Sequence, residues 1–298
     1  MVKSRKVQKT GGSTYTVSLP KKWVGDRLEE GDTVQMERSN GQIKLSLSGS
    51  DSEVRATSLL SSEDFDVTRR RLVAAYLNGF DRISILEVKE KEKLLDFIRN
   101  NLIGIEIVKI EEDSVEVRNL FKSGEFPLKN GLRRMNSTII TMMEDLVDDP
   151  KKVKEMDDIL DRYYLLLLRQ LVLVMKNPDL KEEMDLRTDL QLMDYRLIAK
   201  SLERIGDHLV EMADKELRGK KIDLFILTYK NISEAMFSAD LSQVEEQIRE
   251  LESIEELEEN HSERIRRLML DICETTVNFS INESDVLRVQ KSEDKLGS

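Results

Sequence analysis

The stretch from Ile198 to Asp214 constrains the fold more than any other part of the chain. Read at about 100° per residue, it places Ile198, Leu202, Ile205, Leu209 and Met212 on one stripe of a helix and Glu203, Asp207, Glu211 and Asp214 on the opposite one. The apolar stripe calls for burial against neighbouring helices. The carboxylates, stacked at i,i+4, repel each other, so their stripe is either heavily solvated or neutralised by a bound cation or a basic partner. The same cadence returns at an offset of 91 residues, where Val289 to Ser298 follows Ile198 to Asp207 in character. Two copies of a helical unit are expected, the second cut off inside its last helix.

From about residue 129 onward the pattern is helical with few breakers. The spacing predicts helices at 129–147, at 150–177 with Pro150 in its first turn, and at 181–216, ended by Gly219; a second set covers 221–238 and 240–270, with further helix to the end. Three antiparallel helices repeated twice give a pair of three-helix bundles, at 129–219 and, incomplete, at 220–298. Asp157 and Asp161 flank an apolar face of Val153, Leu160, Tyr163, Leu167 and Leu171 on the second helix, with the same i,i+4 spacing as Glu203 and Asp207. Two such pairs supply enough oxygen donors for a hard or borderline cation. A solvated helix face is the equal alternative from the pattern alone.

Residues 51–128 alternate strand and helix signals and read as a small α/β sandwich. Its strands are Arg55–Leu60, Ile83–Val88, Ile105–Ile110 and Val115–Phe121, and its helices Phe65–Leu77 and Glu90–Leu102. It holds no phosphate loop and no nucleophile, and its role is not readable. Arg69-Arg70-Arg71 reads as the solvated side of a helix. Residues 1–50 look like a small β module, with Thr14–Leu19 stopped by Pro20 and a hairpin of Thr33–Arg38 and Gln42–Leu47 around Ser39-Asn40-Gly41. Four short strands and a helical turn around Trp23 bury too little apolar surface alone, so dimerisation is expected.

Charge follows this division. The net charge of −11 would argue against nucleic acid if evenly spread. Residues 1–49, however, carry nine basic side chains against five acidic ones, +4, which leaves −15 for the rest. A basic reader joined to an acidic body is expected. One cysteine, Cys273, rules out an internal disulfide and any multi-cysteine metal site. The N-terminus lacks the apolar core of a signal peptide, and the longest apolar segment, Tyr163–Met175, is interrupted by Arg169 and Gln170 and too short to span a bilayer. A cytoplasmic location without membrane insertion is the expectation.

Arg5-Lys6-Val7-Gln8, the run Gly11-Gly12-Ser13-Thr14-Tyr15-Thr16-Val17-Ser18-Leu19-Pro20-Lys21-Lys22-Trp23 and Gly31-Asp32-Thr33-Val34 together resemble the AbrB/SpoVT/MazE swapped-hairpin barrel, a dimeric DNA-binding fold. The resemblance implies a DNA face formed by Arg5, Lys6, Lys9, Lys21 and Lys22. The Gly-Gly-Ser segment departs from the more usual single glycine followed by arginine.

Glu203-Arg204-Ile205-Gly206-Asp207-His208, with Asp157 and Asp161 preceding it on another helix, resembles the signature of PhoU phosphate-uptake regulators, over residues 129–298. That family folds as two three-helix bundles whose Glu/Asp-x-x-x-Asp motifs bind metal clusters at the bundle surface. The second copy ends in serine, Ser298, where the first has Asp207, so the implied metal site rests on the first. Its ligands would be Asp157, Asp161, Glu203 and Asp207, extended by Glu211, and its ion a divalent or trivalent cation such as iron or zinc. Together the two resemblances imply a multidomain α+β regulator of phosphate uptake, a homodimer or higher oligomer that binds DNA. The alternative is an adaptor that docks on a phosphate transporter ATPase or a sensor kinase and uses its head only to dimerise.

An enzyme is not expected, because no nucleophile, base and oxyanion set presents itself. A ferritin-like di-iron oxidase is not expected, with two histidines in all and one Glu-x-x-His spacing, Glu258 to His261. His208 reads as a helix-surface residue, and Met142, Met143, Met156, Met175, Met184 and Met193 as core filling.

Overall fold

The computed structural model describes residues 4–25, 28–39, 42–47, 54–121, 124–184, 186, 188–214, 222–238, 240–254 and 260–296. The turn at Asn40-Gly41, the stop at Gly219, Glu258 and the Gly297-Ser298 end lie outside them. The chain is mixed α+β and divides into two compact units, 1–53 and 54–298.

The first unit contains β1 (Gln8–Thr10), β2 (Thr14–Thr16), α1 (Lys21–Val24), β3 (Val34–Ser39) and β4 (Gln42–Leu47). Its strands form two separate antiparallel pairs, β1 with β2 and β3 with β4. Among the described residues they do not close into the barrel expected from the sequence. Gly11 turns the first pair at φ +67°, a conformation open to glycine at no steric cost. Val7, Tyr15, Val17, Met36 and Ile43 are each more than half exposed.

The second unit opens with β5 (Ala56–Leu60), α2 (Phe65–Leu77), β6 (Arg82–Leu86), α3 (Lys91–Asn101), β7 (Ile105–Ile110) and β8 (Ser114–Asn119). The sheet order is β5-β6-β8-β7; β5 and β6 are parallel, the other pairs antiparallel, and a bulge at Val108 shifts the β7 register. Ile83, Ile85, Val115 and Val117 alternate onto one face of the sheet. There they meet Leu72 and Tyr76 of α2 and Leu94 and Ile98 of α3, which makes the two-layer sandwich. Asp64 caps α2 by accepting from Asp66 N at 2.8 Å. Arg69 pairs with Asp66, and Arg71 donates to the Leu60 carbonyl, so the arginine run serves its own surroundings.

The helical body follows as α4 (Leu128–Asp148), α5 (Pro150–Lys176), α6 (Pro178–Glu183), α7 (Asp189–Asp214), α8 (Ile222–Ser238), α9 (Leu241–Ser253) and α10 (Asn260–Leu296). α4, α5 and α7 pack on one another, as do α8, α9 and α10. Because α10 lies along α7, both sets share one continuous core.

Two of the expected helices are divided. The one placed at 181–216 begins at Asp189, where Thr188 and Gln191 form a reciprocal capping box: Gln191 N donates to Thr188 Oγ1 at 3.3 Å and Thr188 N to Gln191 Oε1 at 3.1 Å. The one placed at 240–270 stops at Ser253, and α10 starts at Asn260. Met142 and Met143 are buried and Met156 and Met184 partly so, but Met175 and Met193 are 71% and 61% exposed. Met175 lies in the last turn of α5, and Met193 shares an outward stripe of α7 with Leu190 and Leu197, so residue type misled where helical phase decides.

Sandwich and helical body are joined through α5. Arg169 is 1% exposed. Its Nη1 donates to the Tyr76 carbonyl at 2.5 Å, its guanidinium stacks on the Tyr76 ring at 5.0 Å, and its Nη2 lies 3.8 Å from Asp81 Oδ1. Lys176 and Arg55 both donate to the Asn78 carbonyl at 2.8 Å, at the C-terminal end of α2, where cations are favoured.

Candidate cation site and nucleic-acid interface

Gly206 sets the geometry of the acidic cluster. A Cβ at this position would stand 2.3 Å from Leu160 Cδ2, closer than real Cβ contacts allow, and a tight 3.0 Å from Asp157 Oδ1. The missing side chain therefore lets α7 press against α5. Gly131 does the same on α4, where a Cβ would meet Leu167 Cδ1 at 2.9 Å. α5 is thus pinched between two helices at glycines, and Asp157 and Asp161 are brought to the side of α7 that carries Glu203 and Asp207.

The electrostatics record this approach. Loss of hydration, followed by the charges of Asp161, Asp207, Asp158 and Glu203, pushes the Asp157 carboxyl up to about 7. Burial, then Glu203 and Asp207, pushes Asp161 to about 6, against the pull of Lys200. Asp207 is also raised, first by desolvation and to a lesser degree by Glu211, while Lys200 and Arg204 oppose the shift. Glu203 is paired to Lys200 at 2.5 Å and its side chain is 15% exposed. The acidic stripe borders the α5–α7 seam with Asp207 and Glu211 exposed and Glu203 half-buried, while Ile198, Leu202, Ile205, Leu209 and Met212 are buried on the opposite side, as the wheel position predicts.

Glu211 departs from the other four. It lies 3.6 Å from His261 Nε2 on α10, whose ring packs on His208 with centroids 5.5 Å apart. His208 is accordingly not a free surface residue: α10 covers it, and burial, then His261 and the nearby arginines Arg264 and Arg204, hold its pKa below the usual value. The side chain of Asp214 lies outside the described residues.

The donors suit a hard cation in kind, since all are carboxylate oxygens and Asp157 Oδ1 is buried with no hydrogen-bond partner among the described residues. They are not converged, however: no group of three or more His, Cys, Asp or Glu among the described residues stands ready to hold a metal. The features that sequence reading missed are the packing role of Gly206 and the Lys200 pair. A glycine inside a strong helix and a lysine three residues before a glutamate were the available signals.

In the head, Arg5 and Lys6 precede β1, Lys9 lies on β1 opposite Tyr15, and Lys21 and Lys22 open α1. All five are exposed. The first 25 residues hold six basic side chains and no acidic one.

Comparison with protein families gives two matches. Residues 132–215 match the PhoU domain, and residues 8–51 match "Antidote-toxin recognition MazE, bacterial antitoxin". Neither a curated protein nor a solved structure matches the chain. The class so defined is a MazE/AbrB-like head followed by a PhoU domain, in the order that the two resemblances implied. The PhoU match points to regulation of phosphate homeostasis and the MazE-like match to DNA binding. Among the described residues no helix is long and apolar enough to cross a membrane.

Proposed function

We propose that the chain is a cytoplasmic, dimeric, DNA-binding regulator of phosphate uptake whose helical body takes up a cation and catalyses no reaction. The observation that carries this reading is the succession of the two matched domains on one chain, the first within an N-terminal segment, residues 1–49, of net charge +4 and the second within an acidic remainder. Arg5, Lys6, Lys9, Lys21 and Lys22 would neutralise DNA phosphates and release counterions. The exposed Val7, Tyr15, Val17, Met36 and Ile43 favour a second copy of the head as their cover, which would also complete the open strand pairs.

In the body, Asp157, Asp161, Glu203 and Asp207 would hold the cation, with Glu211 at the margin of the site. A bound iron, zinc or similar ion would supply the positive charge that offsets the crowding of these carboxylates. The chain's own part is to keep α5 and α7 close at Gly206 and to hold Asp157 and Asp161 partly protonated near neutral pH when no cation is bound.

The test is DNA affinity measured against salt concentration. The double variant Lys21→Ala, Lys22→Ala should lower the slope of log K against log salt by about 1.8, at about 0.9 per phosphate contact, with the dimer intact. No salt-dependent binding by the wild type would reject the DNA reading and leave the head as a dimeriser for a body that docks on a transporter ATPase or sensor kinase.

A further inference from the structure

A cavity of about 230 Å³ lies where the two helix sets meet, bounded by the first turn of α4, the turn before α7, the end of α8 and the middle of α10. Leu132, Ile198 and Met236 and the rings of Tyr195, Phe237 and Phe279 make its walls. Tyr195 and Phe279 meet edge to face at 5.7 Å, which fixes one side. The cavity opens to solvent on one side, where Lys129 and Ser238 join its lining, so its apolar walls face water in place of the contacts that a core ordinarily makes. An apolar guest would supply them.

One end of the cavity is different. Lys129 lines it, is exposed, and makes no ion pair among the described residues. Beside it the first turn of α4 contains no acidic residue, and Pro127 at its N-cap lends no side-chain acceptor. Arg133, one turn further along α4, lies over the Phe237 ring at 5.3 Å. Among the described residues that line the cavity none is acidic, in a chain with 58 acidic side chains and a net charge of −11. The walls thus favour an apolar body and the mouth a single negative charge.

We propose that this cavity binds a small amphipathic carboxylate, a fatty or arylalkyl acid of about ten non-hydrogen atoms whose head meets Lys129. Such a ligand would touch α4 and α7 of the first helix set and α8 and α10 of the second, and so tie the two sets together. The proposal is independent of the DNA and cation readings.

Calorimetric titration of the full chain, in chelator and at fixed ionic strength, tests it with sodium octanoate, 1-octanol and sodium acetate. Octanoate should bind saturably at one per chain, more tightly than octanol, and acetate should not bind. Lys129→Gln should weaken octanoate about threefold and leave octanol unchanged, since an exposed charge contact is lost while the walls are intact. Asp157→Asn should alter neither. Octanol binding as tightly as octanoate, octanoate indifferent to Lys129→Gln, or no saturable binding at millimolar octanoate would each overturn the proposal.

Discussion

Replacing Asp157 by asparagine should stabilise the cation-free protein, by an amount that depends on pH. The folded state holds the Asp157 proton up to about pH 7, whereas the unfolded chain releases it near the ordinary value of 3.8. Between those limits the unfolded state binds fewer protons, so wild-type stability falls as pH rises, and the full penalty is present above about pH 7. A difference of about 3 units corresponds to a ceiling of about 4 kcal/mol at about 1.36 kcal/mol per unit. The carboxyl is only half buried and solvent screens its neighbours, so about 1–2 kcal/mol is expected. For a chain of this size that is roughly 2–8 °C in Tm. The substituted side chain would also offer an amide donor to the carboxylates of Asp161 and Asp207. Thermal melts of wild type and Asp157→Asn in chelator, from pH 4 to pH 8, should coincide at the acid end and diverge towards pH 8. Added divalent cation should stabilise the wild type more than the variant. A variant no more stable than wild type at pH 8, or a gap that does not widen with pH, would refute the account of the seam as crowded carboxylates.

Gly206→Ala should lower the stability of the full chain by about 1–2 kcal/mol, because overpacking against the buried Leu160 outweighs the better helix propensity of alanine; an unchanged or higher Tm would show that α5 can yield. Arg169→Met should cost about 1–2 kcal/mol and speed amide exchange in the turn at residues 78–81, since it removes the buried donor to Tyr76; exchange confined to wild-type rates would place the join between sandwich and helices elsewhere. On dilution the transition of the head should move to lower temperature as the dimer dissociates, and a concentration-independent melt with a monomeric mass would contradict the proposed assembly.

Where periodicity was strong the fold could be read directly. Phe65–Leu77 and Gln42–Leu47 have the bounds expected of them, because capping, alternation and turn residues agree there. The break before α7 was hidden because Thr188 and Gln191 stop and restart a helix without a glycine or proline between Met184 and Asp189. Met175 and Met193 show the limit of reading type without phase. At the site, the pairs Asp157/Asp161 and Glu203/Asp207 and their grouping across two helices were expected from spacing and resemblance, and the closeness of the two helices was not. That depends on Gly206, whose contribution is the absence of an atom, and on Leu160 filling the space so left.

α5 is the element on which these features converge. Its N-terminal half presents Asp157 and Asp161 to α7, and its C-terminal half presents Arg169, Leu173 and Lys176 to the turn after α2. From Asp161 to Arg169 is about two helical turns, roughly 12 Å at 1.5 Å per residue. A helix held by packed cores on both sides moves as a unit, so a change in spacing at the acidic seam cannot be absorbed within α5 alone. It must appear either in the α4 contact at Gly131 or at the Tyr76–Asp81 turn. The Gly131 contact is already at the limit of approach, with Leu167 Cδ1 2.9 Å from where a Cβ would stand. The turn is held by hydrogen bonds, by an ion pair at 3.8 Å and by an equally close packing contact, Leu173 Cδ2 lying 2.7 Å from where a Cβ of Gly79 would stand. Both joins of α5 are therefore close-packed at a glycine, Gly131 towards α4 and Gly79 towards the α/β sandwich, and a change of spacing at the seam would be felt at each.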